Sequence, residues 1–207
     1  MLFTIIVGLF VTLSLPQAHA GENSESEQYT ILIMGDSISA GFGIDKDDGW
    51  VALLDRKLEK KNNSYHVINA SISGETSSGG ANRINKLLKQ HKPNLVILEL
   101  GGNDGLRGSP IKLIKKNLSY VIDQSQQSEA DVLLLGMRIP PNYGQTYSEL
   151  FYEQYQELAS QHRVSIVPFL LEGIAGIDGM MQSDGIHPTQ SAQPIMLNRV
   201  YQQIESR

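Results

Sequence analysis

The sequence predicts an α/β fold in which a parallel sheet is covered by helices on both faces. Three observations carry that expectation. Five short apolar runs are nearly unbroken, which is how strands buried on both faces read. Between them lie stretches whose apolar residues recur at helical spacing. Strands and helices alternate along the chain, and that repetition makes neighbouring strands parallel.

The elements follow in order. Residues 1–20 stand apart: Leu2 to Leu15 is nearly all apolar, Pro16 breaks the run, and Ala18-His19-Ala20 has an A-x-A cleavage pattern. The run is about 14 residues, short of the roughly 20 a spanning helix needs. It therefore reads as a signal peptide cut near Ala20-Gly21, giving a secreted or periplasmic protein with no stable membrane anchor. The segment before the run has no Lys or Arg, and an uncleaved anchor is the alternative. Residues 21–28 are a polar, acidic leader. The strands are Tyr29–Met34, Tyr65–Asn69, Leu95–Leu100, Val132–Leu135 and Val164–Val167. The helices are about Gly49–Lys61, Gly79–Gln90, Pro110–Gln127 and Tyr147–Gln161, with a last one from about Gln190 to Ile204. Leu53, Leu54 and Leu58 mark the buried face of the first helix, as Ile84, Leu87 and Leu88 do for the second. Ser109 is placed to cap the third, with Pro110 at its first position. Pro194 is tolerable because it falls near the start of the last.

The chain has 207 residues, no cysteine and a net charge of −5, with 41% hydrophobic residues. That length suits one domain, 29–207, which must stand on its own core without disulfides. The acidic balance gives no footprint for nucleic acid. Nothing in the sequence requires more than a monomer.

In a parallel α/β sheet, ligands bind outside the carboxyl ends of the strands. Four polar segments converge on that rim. The first strand ends at Gly35-Asp36-Ser37. The loop after the second carries Ser73-Gly74-Glu75-Thr76. The third ends at Gly101-Gly102-Asn103-Asp104, and Asp184-Gly185-Ile186-His187-Pro188 precedes the last helix. A serine hydroxyl is a weak nucleophile until a base removes its proton. Histidine suits that task when a carboxylate orients it. Ser37, His187 and Asp184 supply the three groups, and a turn eased by Gly185 brings the last two together. The backbone N–H groups of Ser37 and Gly74 and the Asn103 amide offer three donors for an oxyanion.

These four blocks, in this order, resemble those of the SGNH (GDSL) hydrolases from about Ile31 to Arg207. "GGNDGLRG", "RIPPNYG" and "DGIHPTQSAQP" resemble the branch of bacterial acyl-CoA thioesterase I, protease I and lysophospholipase, with its arylesterase relatives. The resemblance implies a flavodoxin-like three-layer α/β/α fold around a central five-stranded parallel sheet. It implies Ser37 as nucleophile, His187 as base, Asp184 as its orienter, and Ser37, Gly74 and Asn103 as the oxyanion hole. It also implies a small acyl ester or thioester substrate, with neither metal nor organic cofactor. The G-x-S-x-G elbow of the α/β-hydrolases is missing. A carbohydrate acetyl-esterase and a noncatalytic lipid- or sugar-binding protein are the rival readings.

Other rim residues admit two readings. Gly105-Leu106-Arg107-Gly108 is either a plain connection or a mobile lip, with Leu106 over an acyl chain. Ile139 and Pro140 form an opposite apolar wall, and Ile186 touches the acyl tail. Arg138 meets a substrate carboxylate or polar head group, or pairs structurally with Glu149 or Glu153. Asp36 holds its loop by accepting backbone N–H groups, and Asp104 holds the next. His66, His91 and His162 are read as strand-start or exposed helix-end residues without a catalytic role.

Overall fold

A computed structural model of the protein describes residues 28–61 and 64–206. The expectations for the signal peptide and for residues 21–27 lie outside the described residues. Five strands, β1 (Tyr29–Gly35), β2 (Tyr65–Asn69), β3 (Leu95–Glu99), β4 (Asp131–Leu135) and β5 (Ser165–Val167), form one sheet of order β2-β1-β3-β4-β5. All pairings are parallel. The first crossover runs one way from β1 and the next returns past it. The order therefore reverses at the β1/β3 junction, where a crevice opens at the strand ends.

Strand side chains alternate between two cores. Leu32, Met34, Val96, Leu98 and Leu134 face one, against helices α3 (Ser77–His91), α5 (Ile111–Gln127) and α6 (Gln145–His162). Ile31, Ile33, Leu95, Ile97 and Leu133 face the other, against α2 (Trp50–Lys61) and α7 (Gln193–Glu205). All ten strand residues are 0% exposed, each contributing on the order of 1.5–3 kcal/mol. Burial on both faces explains why these strands read as unbroken apolar runs rather than alternating ones. The architecture is thus the expected three-layer sandwich.

The structure differs from the sequence reading in small pieces. Two short helices, α1 (Ser37–Ala40) and α4 (Gly102–Leu106), follow β1 and β3 directly. Neither is long enough to show a 3.6-residue period. Ser109 does not cap α5. Pro110 occupies the cap with ψ 125°, no side chain caps it, and the helix begins at Ile111. The Ser109 carbonyl instead accepts the Tyr147 hydroxyl at 2.7 Å. A 3-10 turn, Gln190–Ala192, precedes α7, whose first turn holds Pro194. No helix among the described residues is long and apolar enough to cross a membrane.

Candidate active site

Ser37 is the first residue of α1, two residues beyond the end of β1. Its N–H is therefore one of the orphan donors of a helix start. Asp36 is the N-cap and accepts the Ile38 N–H at 3.0 Å, the loop-holding bond expected from sequence. Gly35 is required by close approach. A Cβ there would stand 2.6 Å from Glu99 Oε2 and 2.7 Å from the Ser39 side chain.

Across the crevice, Asp184 and His187 share one turn. Gly185, with φ +67°, provides its left-handed corner. Asp184 Oδ1 accepts the N–H groups of Ile186 (2.9 Å) and His187 (3.0 Å), and Oδ2 meets His187 Nδ1 at 2.6 Å. His187 Nε2 lies 2.9 Å from Ser37 Oγ. A carboxylate only accepts, so Nδ1 carries the ring proton and Nε2 is left to accept from the hydroxyl. The backbone N–H of His187, then its ring, then the Ile186 N–H hold the Asp184 carboxyl down at about 2. Its lowered pKa stabilises the fold above pH 3.8, an effect lost as pH falls through 2; above that the carboxylate stays ionised.

The turn is itself tethered. Gln182 Nε2 donates to the carbonyls of Phe42 (2.8 Å) and Pro188 (3.1 Å). The Phe42 ring lies against the imidazole, centroids 4.5 Å apart. Sequence reasoning missed Phe42. An exposed aromatic seven residues beyond β1 carries no periodic signal.

Asn103 projects from α4. Its amide nitrogen donates to Asp36 Oδ2 (3.1 Å) and to the Glu75 carbonyl (3.0 Å). Both hydrogens are engaged, so donation to a third acceptor requires sharing one. Asp104 binds the start of α3 through the Ser77 N–H and hydroxyl, each at 2.8 Å, the loop-holding role expected of it. Gly74, with φ +79°, is exposed, and its N–H donates to no acceptor among the described residues.

A cavity of about 340 Å³ opens beside Ser37. Leu106, Arg138, Ile139, Pro140 and Ile186 all line it with Ser37, Asn103 and His187; Gly74 and Asp184 do not. Leu106 ends a hydrogen-bonded helix rather than a bare loop. Arg138 stacks its guanidinium over Tyr152, 3.9 Å from the ring centroid, instead of pairing with Glu149 or Glu153. Met137, Phe169, Leu170, Leu171 and Met181 complete an apolar wall that the motifs did not reveal.

Two buried acids sit under the serine. Burial raises the Asp36 carboxyl to about 6, against the lowering effect of the Ile38 N–H, His187, Asn103 and Glu99. Glu99, 0% exposed, is pushed well above the usual range, first by burial and then by Asp36. A raised carboxyl makes the folded state the better proton binder. Each acid therefore costs stability as pH rises from its unfolded value through its folded one. The sequence held a signal for Glu99: it is the only charged residue in "LVILELGG".

A second Ser–His–Asp chain links α5 to α6. Ser119 Oγ is 2.8 Å from His162 Nε2, and His162 Nδ1 is 3.1 Å from Asp123. The His162 ring is mostly buried, not exposed as the sequence suggested. Ser119 lies within α5, where its N–H is spent on the helix, and it lines neither described cavity. This chain is a structural staple.

A hydroxyl, an imidazole and a carboxylate in contact at the switch point of a parallel sheet, beside an apolar cavity, define the class as a serine hydrolase. The GDSL-like Lipase/Acylhydrolase family profile matches residues 33–193, and the chain belongs to that family. It is 50% identical over 172 residues to the esterase TesA of Pseudomonas aeruginosa, covering 83% of this chain and 86% of the relative. It is 42% identical over 176 residues to thioesterase 1/protease 1/lysophospholipase L1 of Escherichia coli K12, covering 85% and 83%. The crystal structure of the psychrotrophic esterase EstA from Pseudoalteromonas, inhibited by monoethylphosphonate, matches with a TM-score of 0.82. That match has 40% identity and covers 86% of this chain and 98% of that one.

Proposed function

We propose that the protein is an exported esterase and thioesterase that hydrolyses small acyl esters and acyl thioesters through an acyl-serine intermediate. The observation that carries this reading is the unbroken contact from Ser37 Oγ through His187 to Asp184, at 2.9 and 2.6 Å, beside an apolar cavity. Ser37 Oγ attacks the acyl carbonyl while His187 Nε2 takes its proton. The tetrahedral oxyanion faces the N–H groups of Ser37 and Gly74 and the Asn103 amide. His187 returns the proton to the departing alkoxide, and water then repeats the sequence on the acyl-serine. A thiolate needs that proton less, so one site serves both bond types. The relatives' names, esterase and thioesterase/lysophospholipase, support the same substrate range.

The apolar wall of Ile139, Met137 and Leu171 suits the acyl chain. Each buried methylene is worth about 0.8 kcal/mol, or roughly fourfold in kcat/KM. A panel of p-nitrophenyl esters and CoA thioesters is expected to show that rise per carbon from acetyl upward, then a plateau once the cavity is full. A flat preference for acetyl would overturn the acyl-chain assignment and favour a carbohydrate acetyl-esterase.

Export rests on the apolar run and A-x-A pattern of residues 1–20, ahead of a single domain from Tyr29. N-terminal sequencing of protein recovered outside the cytoplasm is expected to begin at Gly21. Recovery only as a cell-bound chain starting at Met1 would overturn it.

A further inference from the structure

Beneath the nucleophile, four carboxyl oxygens meet an uneven set of donors. Glu99 Oε2 accepts the Asp36 N–H (3.1 Å) and the Ser39 hydroxyl (2.7 Å). Asp36 Oδ1 accepts the Ile38 N–H (3.0 Å), and Oδ2 accepts the Asn103 amide (3.1 Å). Glu99 Oε1 is buried and meets no donor. An ionised carboxylate buried at 0% exposure with one oxygen unmet is far costlier than a neutral acid. Glu99 Oε1, with no donor to accept from, is the place for a proton.

We propose that Glu99 is a neutral acid whose Oε2 holds the Asp36 N–H and thereby positions Asn103, making it a positioning residue for the oxyanion hole. Asp36, held by Glu99 through its N–H, accepts the Asn103 amide at Oδ2, and Asn103 lines the same cavity as Ser37. Asp36 faces His187, which lowers its pKa against the effect of burial. The titratable groups facing the pair are His187 toward Asp36 and, from α6, Tyr155, whose hydroxyl donates to the Leu100 carbonyl. Asp104 on α4 acts on Tyr155 as well. No cation among these neutralises a second buried charge when His187 is neutral, so a doubly ionised pair is costly.

The test has two halves. The first needs no substrate. Glu99→Gln keeps shape and donor but cannot ionise. Its melting temperature relative to wild type is expected to climb by about 3 °C or more between pH 5 and pH 8, because only wild type pays to hold that proton. A difference that stays constant or falls with pH would overturn the neutral acid. The second half rests on the hydrolase reading. Glu99→Leu, folded as judged by its melt, is expected to lose roughly 10²-fold in kcat with little change in KM, and Glu99→Gln to restore most of it. Equal losses in both variants, or a loss confined to KM, would overturn the positioning role. Failure of the hydrolase reading is recognised separately, as absent ester turnover in wild type with the melting result intact.

Discussion

Ser37→Ala is expected to lower turnover of a short p-nitrophenyl ester by roughly 10⁴–10⁶-fold. The substitution removes one oxygen from a residue whose N–H and surroundings stay in place, so the cavity and donors remain and only the acyl-serine route is lost. A fluorophosphonate probe is expected to label wild type at Ser37 and leave the variant unlabelled. Ser119→Ala is the internal control. Ser119 has the same partners, an imidazole and an aspartate, at similar distances, but it lines neither described cavity and its N–H is spent within α5. It is expected to keep wild-type turnover and lose about 1 kcal/mol of stability. Near-wild-type turnover in Ser37→Ala would end the nucleophile assignment, and labelling at neither serine would favour a noncatalytic binding protein.

Asp184→Asn is expected to cost about 10⁴-fold in kcat while the turn survives. Asn Oδ1 can still accept the N–H groups of Ile186 and His187, which hold the loop. What changes is the partner of His187 Nδ1. An amide NH₂ there demands an acceptor, which moves the ring proton to Nε2 and points it at Ser37 Oγ, the wrong tautomer for a base. The melting temperature is expected to shift by only a few degrees. Retention of more than a tenth of kcat would show that Asp184 does not set the tautomer.

The contrast between the two Ser–His–Asp chains shows where motif reading ends. Residue types and contact distances are shared. The difference lies in position: Ser37 opens a helix at a strand end, whereas Ser119 sits inside one. Spacing separated them in the sequence, because Gly35-Asp36-Ser37 follows an apolar strand and Asp184-x-x-His187 precedes a helix. His162, by contrast, was misplaced as exposed, since nothing local announces that α5 lies over it. Met137, Phe169 and Leu171 were illegible as cavity residues for the same reason. An apolar side chain after a strand looks alike in sequence whether it fills a core or lines a void.

What the sequence determined by itself was the class of fold and the candidate trio Ser37, His187 and Asp184. Unbroken apolar strands separated by amphipathic helices can bury themselves in few other ways, and the four blocks lie at strand ends and ahead of a helix, where a parallel sheet gathers its ligands. Only the tertiary structure decided that Glu99 shares its buried site with Asp36, that Phe42 packs on the imidazole, and that both hydrogens of the Asn103 amide are already taken. Those relations join segments 28 or more residues apart along the chain. They depend on which strand ends lie side by side, a property of strand order rather than of any local run of residues.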